Sequence, residues 1–253
     1  MKVMTFNLRV PADCDGINQF NFRKNRILEV IRQEKPDLIG FQEVRPEGRA
    51  WLADELSNEY YVLGCGRKQN YDGEGNPIAI NRKKFDLIHY ETFWLSDTPN
   101  IPGTCYENLD QSPFPRFAIA TSIWHKELGK MIQFVNLHAD HQGQQARLAE
   151  LTQLLDYLKC LSGYKIITGD MNAKPDSEEI GTFLEKASDM NIKDASEGLG
   201  PTYHNFGRCY GYRIDYIFSD MKVLESRVVE DTPVEGVYYS DHRAVVAEFK
   251  MEE

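Results

Sequence analysis

The stretch KIITGDMNAKP, residues 165–175, decides the fold of this chain. Its apolar run, Ile166 and Ile167, is bounded by glycine and proline, which indicates a buried strand with polar groups at its C-terminal end. Those groups are Asp170 and Asn172. Polar residues at strand ends build the sites of α/β proteins, although Asp and Asn are also ordinary turn formers. The remainder of the chain has to decide between a functional site and a plain turn.

Polar side chains also stand at or near the ends of five other predicted strands. They are Asn7 in strand 2–8, Glu43 in strand 37–43, His138 in strand 130–138, Asp215 in the middle of strand 212–219, and Asp241 with His242 ahead of strand 244–250. Carboxylates and amides without thiolates are the ligands that suit Mg²⁺ or Mn²⁺ and not zinc. The pattern therefore predicts a site for a hard divalent cation.

The order of helices and strands predicts two packed sheets. The predicted helices span residues 22–34, 47–56, 144–159 and 178–187, and the first and third have an amphipathic pattern. Strands outnumber helices and many of them pair as hairpins. We expect an α/β protein, a four-layered α/β/β/α sandwich of two mixed sheets, with a single domain over residues 1–253. Residues 96–115 hold four of the eleven prolines, so we expect an irregular loop there that contributes to specificity.

Composition limits the classes of function. Of the 253 residues 42% are hydrophobic, enough for a large core, and the net charge of −10 disfavours sequence-independent binding to duplex nucleic acid. The five cysteines are scattered without a Cys-x-x-Cys pair, which argues against a disulfide framework and a zinc knuckle. We find no pattern of a signal peptide or of a bilayer-spanning segment. We therefore expect a cytoplasmic monomer that binds no membrane, and we predict no protein partner.

Six short motifs, taken in order, resemble those of a known superfamily. They are Phe6-Asn7, Gln42-Glu43, Asn136-Leu137-His138, Gly169-Asp170-Met171-Asn172, Arg213-Ile214-Asp215-Tyr216-Ile217 and Ser240-Asp241-His242. Each motif is weak, but the ordered set is similar to that of the endonuclease/exonuclease/phosphatase superfamily, which has the DNase I-like fold. The resemblance is closer to the deadenylase, DNase I and sphingomyelinase branches, because His138 stands where abasic-site endonucleases carry a tyrosine-containing motif.

The resemblance implies a Mg²⁺- or Mn²⁺-dependent phosphoesterase in which water attacks the phosphorus in line. By the motifs of the superfamily, Glu43 holds the metal ion, with Asn7 close by and Asp241 available to the same or a second ion. Asp170, oriented by Asn172, positions or deprotonates the attacking water. The metal ion would polarise the phosphoryl oxygens and stabilise the charge of the transition state.

The same motifs imply which groups handle protons. Asp215 and His242 form a carboxylate and imidazole pair at the phosphate. We expect this pair to be the general base, with Asp170 as the second candidate. His138 matches the histidine that lies on the leaving-group side.

Four further residues are predicted to contact the substrate: Arg116, Asn136, Tyr203 and His204. Arg116 follows the proline-rich loop, and its guanidinium matches two phosphate oxygens, although a surface ion pair is an equal explanation. Tyr203 and His204 offer a wall on which a ring can stack, or simply pack within their loop. His141 is predicted to cap a helix rather than to bind a metal ion.

The predicted substrate is a phosphate ester. A phosphodiester in RNA or at single-stranded nucleic acid ends is the first candidate, although the acidic chain speaks against it. A phosphatase or phosphodiesterase of a small phosphorylated metabolite, an inositol phosphate or a lipid head group is the second. A catalytically inactive binding module is the alternative of another class, and it is disfavoured because every expected catalytic position holds a competent residue.

Overall fold

A computed structural model describes residues 1–251, with four α-helices and twelve β-strands in that part of the chain. The helices are α1 (Phe20–Glu34), α2 (Pro46–Glu55), α3 (Gln144–Lys159) and α4 (Glu178–Ala187). The strands are β1 (Lys2–Asn7), β2 (Leu38–Gln42), β3 (Tyr60–Leu63), β4 (Ile78–Asn81), β5 (Phe85–Trp94), β6 (Phe117–His125), β7 (Lys130–His138), β8 (Tyr164–Asp170), β9 (Lys193–Asp194), β10 (Asp215–Ser219), β11 (Lys222–Val228) and β12 (Val245–Lys250). None of the helices within residues 1–251 is both long enough and apolar enough to cross a membrane.

The strands form two six-stranded sheets. The first sheet has the order β11-β12-β1-β2-β4-β3, and the second has the order β5-β6-β7-β8-β10-β9. Both sheets are mixed, because β1 runs parallel to β2 and β7 runs parallel to β8 while their other pairings are antiparallel. Helices α1 and α2 pack on the first sheet, and α3 and α4 pack on the second. The four-layered α/β/β/α sandwich predicted from the sequence is confirmed.

Apolar side chains fill the space between the layers. Val3, Ile80, Phe134 and Phe249 belong to the cluster between the two sheets, and all four are buried. Full burial of one such side chain stabilises the fold by roughly 1.5–3 kcal/mol. This central layer holds the two sheets in a fixed relative position, which the site at their edge requires.

A buried polar layer also joins the two sheets near their common edge. Asn136 of β7 donates from Nδ2 to the carbonyl oxygens of Phe41 (2.7 Å) and Asn76 (2.9 Å). Its Oδ1 accepts hydrogen bonds from Gln42 Nε2 (2.8 Å) and Thr168 Oγ1 (3.0 Å). Every polar atom of this side chain is therefore used between the sheets, as a buried amide requires.

Gly40 of β2 lets the sheets approach at this polar layer. A Cβ atom on Gly40 would lie 2.1 Å from Thr168 Oγ1 and 2.4 Å from Asn136 Oδ1, so only glycine fits. The C-terminal ends of parallel strands lie at the same edge of a sheet. The ends of β1, β2, β7 and β8 consequently meet at one edge of the sandwich.

The start of β10 and three short elements differ from the sequence predictions, and several other element bounds differ by one or two residues. Strand β10 begins at Asp215 and not at residue 212, so Asp215 stands at the first position of the strand and not in its middle. Thr202 Oγ1 accepts the N–H groups of Ile214 (3.1 Å) and Asp215 (3.2 Å), so a loop side chain engages the backbone there. The two-residue strand β9 and the short 3₁₀ helices Asp13–Asn18 and Ser188–Met190 were not predicted.

Candidate active site

The edge of the sandwich carries a cleft of about 430 Å³. The predicted site residues that line it are Glu43, Arg116, His138, Asp170, Asn172, Tyr203, Asp241 and His242. Asn7 and Asp215 lie directly beneath, each 1% exposed and hydrogen-bonded to a lining residue. Ten of the predicted residues are thus brought together from distant parts of the sequence.

Asn7 and Glu43 lie at the ends of β1 and β2. Asn7 Nδ2 donates to Glu43 Oε1 (3.2 Å) and Asp170 Oδ2 (3.0 Å), and so bridges carboxylates that belong to the two different sheets. Glu43 follows β2 with a left-handed φ of 61°, and its Oε2 accepts the N–H of Val10 at 2.8 Å. Burial raises the pKa of Glu43, but the hydrogen bond from Val10 and the charge of His242 outweigh burial and hold the pKa below its ordinary value. Glu43 is therefore an ionised carboxylate.

Asp170 ends β8, and Asn172 orients it. Asp170 Oδ1 accepts the N–H of Asn172 at 2.9 Å, while the Asn172 side chain donates to the carbonyl of Ala139 at 3.0 Å. Asn172 has a φ of 49°, in the left-handed region that Asn tolerates. Burial, followed by the negative charge of Asp215, raises the pKa of Asp170 to about 7. Asp170 is therefore the carboxyl group of the cleft that can hold a proton near neutral pH.

His242 pairs with Asp215 beneath the cleft. The His242 Nδ1 lies 2.9 Å from Asp215 Oδ2, and His242 Nε2 lies 3.8 Å from Asp170 Oδ2. Since a carboxylate only accepts hydrogen bonds, the Nδ1 atom carries the hydrogen and Nε2 faces Asp170. Burial would lower the pKa of His242. The charges of Asp215, Asp241 and Asp170 outweigh burial and raise this pKa well above its ordinary value.

His138 is the last residue of β7. This strand pairs with β8, and His138 lies opposite Asp170. Its Nε2 lies 3.6 Å from Asp170 Oδ2, too far for a good hydrogen bond. Burial, followed by the positive charges of Arg116 and Arg67, lowers the pKa of His138 well below its ordinary value. The imidazole of His138 is therefore neutral at neutral pH.

Arg116 forms a buried ion pair and also reaches the cleft. It is 4% exposed, with Nε 3.5 Å from Asp140 Oδ2 and Nη2 2.9 Å from His141 Nδ1. The guanidinium is thus held from behind by Asp140. The sequence left open whether Arg116 forms a surface ion pair or contacts the substrate. Its ion pair with Asp140 is buried and not on the surface.

Two of the predicted substrate-binding residues, Asn136 and His204, do not line the cleft. Asn136 is fully buried in the polar layer between the sheets. His204 is 1% exposed, and its Nδ1 accepts the N–H of Gly207 at 3.0 Å. The backbone N–H of His204 donates to the carbonyl of Asp241 at 2.9 Å. Both residues therefore support neighbouring segments of the site from within the fold.

Several residues that were not predicted also line the cleft: Arg9, Arg67, Glu74, His141 and Tyr212. Arg9 Nε lies 3.1 Å from Asp15 Oδ2 and 3.8 Å from Asp241 Oδ2. The position of Arg9, two residues after Asn7, was a usable signal in the sequence. Arg67 and Glu74 belong to a glycine-rich loop, where the basic pair Arg67-Lys68 was a weak signal of a positively charged rim and Glu74 had none.

Arg23 of α1 supports the site from inside the fold. It is fully buried and donates to the carbonyl oxygens of Leu8 (2.7 Å) and Tyr239 (2.8 Å). These two carbonyls belong to the segments that carry Asn7 and Asp241. One buried guanidinium therefore fixes two segments of the site relative to each other.

The donor atoms of the cleft fit a hard divalent cation. One oxygen of Glu43, one oxygen of Asp170 and one nitrogen of His242 all lie within 4.8 Å of one another. No cysteine lines the cleft in the described residues 1–251, so the donor set is rich in oxygen. Burial and then the negative charge of Asp215 raise the pKa of Asp170, and a cation would neutralise that excess negative charge. Asp241 lies outside this group and faces Arg9.

The fold and the cleft together define a class of protein, a DNase I-like sandwich with a polar site at the edge of its two sheets. Residues 4–242 match the Endonuclease/Exonuclease/phosphatase family, so the chain belongs to this family. The members of the family are phosphoesterases. The resemblance stated from the six motifs is confirmed.

Solved structures share this fold over the whole described chain. An endonuclease/exonuclease/phosphatase from Bacteroides vulgatus has a TM-score of 0.89 and 27% identity, covering 99% of this chain and 98% of its own. A mannosyl-6-phosphatase from Bacteroides thetaiotaomicron has a TM-score of 0.88 and 26% identity, covering 99% and 100%. TDP2 from D. rerio, in complex with a single-strand DNA product, has a TM-score of 0.76 and 16% identity, covering 99% of each chain. The likeness to TDP2 is one of fold alone.

Proposed function

We propose that this chain hydrolyses phosphate esters with Mg²⁺ or Mn²⁺ bound in the cleft. The observation that carries the proposal is the meeting of Glu43, Asp170 and His242, whose ligand atoms lie within 4.8 Å although they come from distant segments. Ionisable groups with perturbed pKa values, gathered in a cleft, are typical of catalytic sites.

Glu43 is the residue that we propose to hold the metal ion, with Asn7 hydrogen-bonded to it and Asp241, which faces Arg9, available to the same or a second ion. When bound, the ion polarises the phosphoryl oxygens and offsets the negative charge that develops in the transition state. Asn7 fixes the spacing of Glu43 and Asp170 through its two hydrogen bonds, so the carboxylates are already in position before an ion arrives.

The attacking water belongs beside Asp170 and His242, whose Oδ2 and Nε2 atoms are 3.8 Å apart. Asn172 orients the carboxylate of Asp170, and Asp215 orients the imidazole of His242. We assign proton uptake from the water to the pair of Asp170 and His242, because two groups so close titrate together. Asp215 stabilises the positive charge of the imidazole.

His138 and Arg116 line one part of the cleft together with Arg67 and Glu74. The neutral imidazole of His138 hydrogen-bonds to the leaving oxygen, and the guanidinium of Arg116 binds a phosphoryl oxygen. As water adds to phosphorus, the bond between phosphorus and the leaving oxygen breaks. For a monoester the products are phosphate, which keeps the oxygen of the water, and an alcohol, whose oxygen takes up the proton that the water gave to Asp170 and His242.

A small phosphate monoester is the substrate class that we rank first. The relative from Bacteroides thetaiotaomicron is a mannosyl-6-phosphatase by name and is 26% identical over 99% of this chain. The net charge of −10 also disfavours a polyanionic substrate. These two observations reverse the order of candidates that the sequence favoured.

A nucleic acid end is the second candidate, because an aromatic pair lies beside the catalytic histidine. The rings of Tyr203 and Tyr212 are 5.3 Å apart, and the ring of Tyr203 is 5.0 Å from that of His242. Tyr212 is 41% exposed, so its ring is available for a base to stack on.

Metal-dependent hydrolysis of p-nitrophenyl phosphate and bis-p-nitrophenyl phosphate tests the proposal. We expect product only with Mg²⁺ or Mn²⁺, and a rate at least about a hundredfold lower for His242→Ala, the usual size of an acid–base contribution. His89→Ala is the matched control, because His89 is an exposed histidine on β5. Undiminished rates in excess chelator would contradict the mechanism, and no hydrolysis with either metal would favour the inactive binding module.

A substrate panel at fixed Mg²⁺ separates the two substrate classes. It contains hexose 6-phosphates, an inositol phosphate, sphingomyelin, an oligoribonucleotide and an oligodeoxyribonucleotide. Faster turnover of the small monoesters supports the first class. Cleavage of the oligonucleotides alone supports the second.

A further inference from the structure

An ordered loop brings a second pair of charged side chains to the cleft. We call residues 64–77, between β3 and β4, the arm. Arg67 and Glu74 face each other across the stem of the arm, where Arg67 N–H donates to the Glu74 carbonyl at 2.8 Å. Their side chains also pair, with Arg67 Nη2 3.0 Å from Glu74 Oε1. Both residues line the cleft.

The base of the arm is hydrogen-bonded to the segment that carries Glu43. Val44 and Gly75 exchange two backbone hydrogen bonds, of 2.9 Å and 2.8 Å. A Cβ atom on Gly75 would lie 2.1 Å from the carbonyl oxygen of Cys65, so the arm closes this tightly only with glycine. Arg67 and Glu74 consequently have a fixed position relative to Glu43.

Phe114, from the proline-rich loop, covers the arm. The guanidinium carbon of Arg67 lies 4.6 Å from the centre of the Phe114 ring, and the ring of His141 lies 5.9 Å from it. Trp94 Nε1 donates to the Arg67 carbonyl at 2.9 Å. These contacts restrict Arg67, so its ordering costs little when a ligand binds.

His141 presents a hydrogen-bond donor to the same part of the cleft. A guanidinium only donates, so the contact of 2.9 Å between Arg116 Nη2 and His141 Nδ1 makes Nδ1 the acceptor. The hydrogen of the neutral imidazole is then on Nε2. His141 is exposed and lines the cleft, so this Nε2–H is available to a ligand.

The charges in this part of the cleft cancel. Arg67 pairs with Glu74, and Arg116 pairs with Asp140, so two positive groups meet two negative groups. A neutral region with donors and one carboxylate acceptor matches hydroxyl groups, which both donate and accept. A second phosphate group would have to displace Glu74 from Arg67.

We propose that Glu74, Arg67 and His141 form a subsite that binds the hydroxyl groups of the leaving alcohol. The substrate is then the phosphate monoester of a polyhydroxylated compound, such as a hexose phosphate, and not a polynucleotide. The subsite rests on the proposed function, since it places the leaving alcohol beyond His138 and the phosphate at Glu43. Hydrolysis releases the polyhydroxylated alcohol and inorganic phosphate, with water supplying the oxygen and the proton.

Comparison of two monoesters tests the subsite. Glucose 6-phosphate and mannose 6-phosphate carry hydroxyl groups, whereas p-nitrophenyl phosphate has none on its leaving group. We expect Glu74→Ala to lower the ratio of kcat/KM for the faster hexose phosphate to that for p-nitrophenyl phosphate by at least about tenfold, as loss of a hydrogen bond to a charged group does. Glu127→Ala, in the exposed turn between β6 and β7, is the matched control and should leave the ratio unchanged.

Glu74→Gln is a second variant that tests whether the effect of Glu74→Ala comes from a folding defect of the arm. The amide keeps an acceptor for Arg67 but lacks the charge, so we expect a smaller fall of the same ratio. An unchanged ratio in both variants would overturn the subsite, as would wild-type protein that prefers an oligouridylate to every hexose phosphate. Failure of the proposed function looks different, because wild-type protein would then hydrolyse none of these compounds with Mg²⁺ or Mn²⁺.

Discussion

The pair of Asp215 and His242 gives the sharpest prediction about catalysis. Asp215→Asn keeps the size of the side chain but removes the negative charge of the carboxylate whose Oδ2 lies 2.9 Å from His242 Nδ1. Both side chains are buried, with Asp215 at 1% and His242 at 5% exposure, so water cannot compensate for the lost charge. Within residues 1–251 the other oxygen, Asp215 Oδ1, has no hydrogen-bond partner, so the amide of Asn can place its NH2 group there and leave a neutral oxygen beside His242 Nδ1. The imidazole then loses the negative charge that stabilises its protonated form.

We expect kcat to fall by about 10³ for Asp215→Asn, with a small change in KM, because the loss acts on the proton transfer and not on substrate binding. This factor corresponds to about 4 kcal/mol of transition-state stabilisation. The fold should persist, since the backbone N–H of Asp215 is held by Thr202 and the residue pairs with Asp170 across the sheet.

The assay is the initial rate on p-nitrophenyl phosphate at saturating Mg²⁺, together with ¹⁵N NMR of the His242 ring nitrogens. Asp156→Asn is the control, because it makes the same chemical change on an exposed position of α3. A kcat within fivefold of wild type, with the pKa of His242 unchanged in the NMR titration, would refute the role assigned to Asp215.

Two further predictions concern the framework of the site. Asn136→Ala should lower the free energy of unfolding by about 3 kcal/mol in urea denaturation, because it leaves buried carbonyls and the Gln42 amide without their partner, and Asn58→Ala on the surface should not. A loss below about 1 kcal/mol would show that the polar layer does not join the sheets. Burial raises the pKa of Glu150 to about 8 from an ordinary value of 4.5, so between these values the folded chain holds a proton that the unfolded chain releases. Stability should therefore fall as pH rises through this window, by up to about 1.4 kcal/mol per pH unit, and Glu150→Gln should remove that part of the pH dependence. If the free energy of unfolding changed equally with pH in wild type and Glu150→Gln between pH 5.5 and 7.5, the prediction for Glu150 would be wrong.

The strand ends of the site could be predicted because their signals are local. Asp170 follows two isoleucines and a glycine, and Glu43 follows an apolar run, so each lies at the end of a buried strand whatever the rest of the chain does. Two mixed sheets then place such ends at one edge. The prediction was strongest where a short apolar run and a turn residue agreed.

The depth of a residue in the sandwich could not be predicted from the same signals. Asn136 and His138 are two residues apart and therefore lie on the same face of β7. Asn136 is about 6.6 Å further from the C-terminal end of the strand. The first sheet covers that position. Only the packing of the two sheets decides that Asn136 joins them while His138 reaches the cleft.

The arm was missed for a different physical reason. Arg67 and Glu74 reach the cleft because Val44 and Gly75 pair across about 30 residues of sequence. The local sequence of a glycine-rich loop does not indicate which distant segment it pairs with. Phe114 likewise arrives from the proline-rich loop, whose irregular path follows from tertiary contacts. The expectation that this loop contributes to specificity stays a prediction.

The most direct test measures Mn²⁺ binding by calorimetry and hydrolysis of p-nitrophenyl phosphate on the same protein sample. We predict that the two titrations share one half-saturation point, and that Glu43→Gln weakens both by at least about tenfold, the range seen when a group that supports a metal site is lost. Glu47→Gln, an exposed position on α2, should change neither. A hydrolysis rate that reaches its maximum at Mn²⁺ concentrations too low for binding at the cleft would contradict a metal-dependent reaction there. Unchanged Mn²⁺ affinity in Glu43→Gln would contradict it as well.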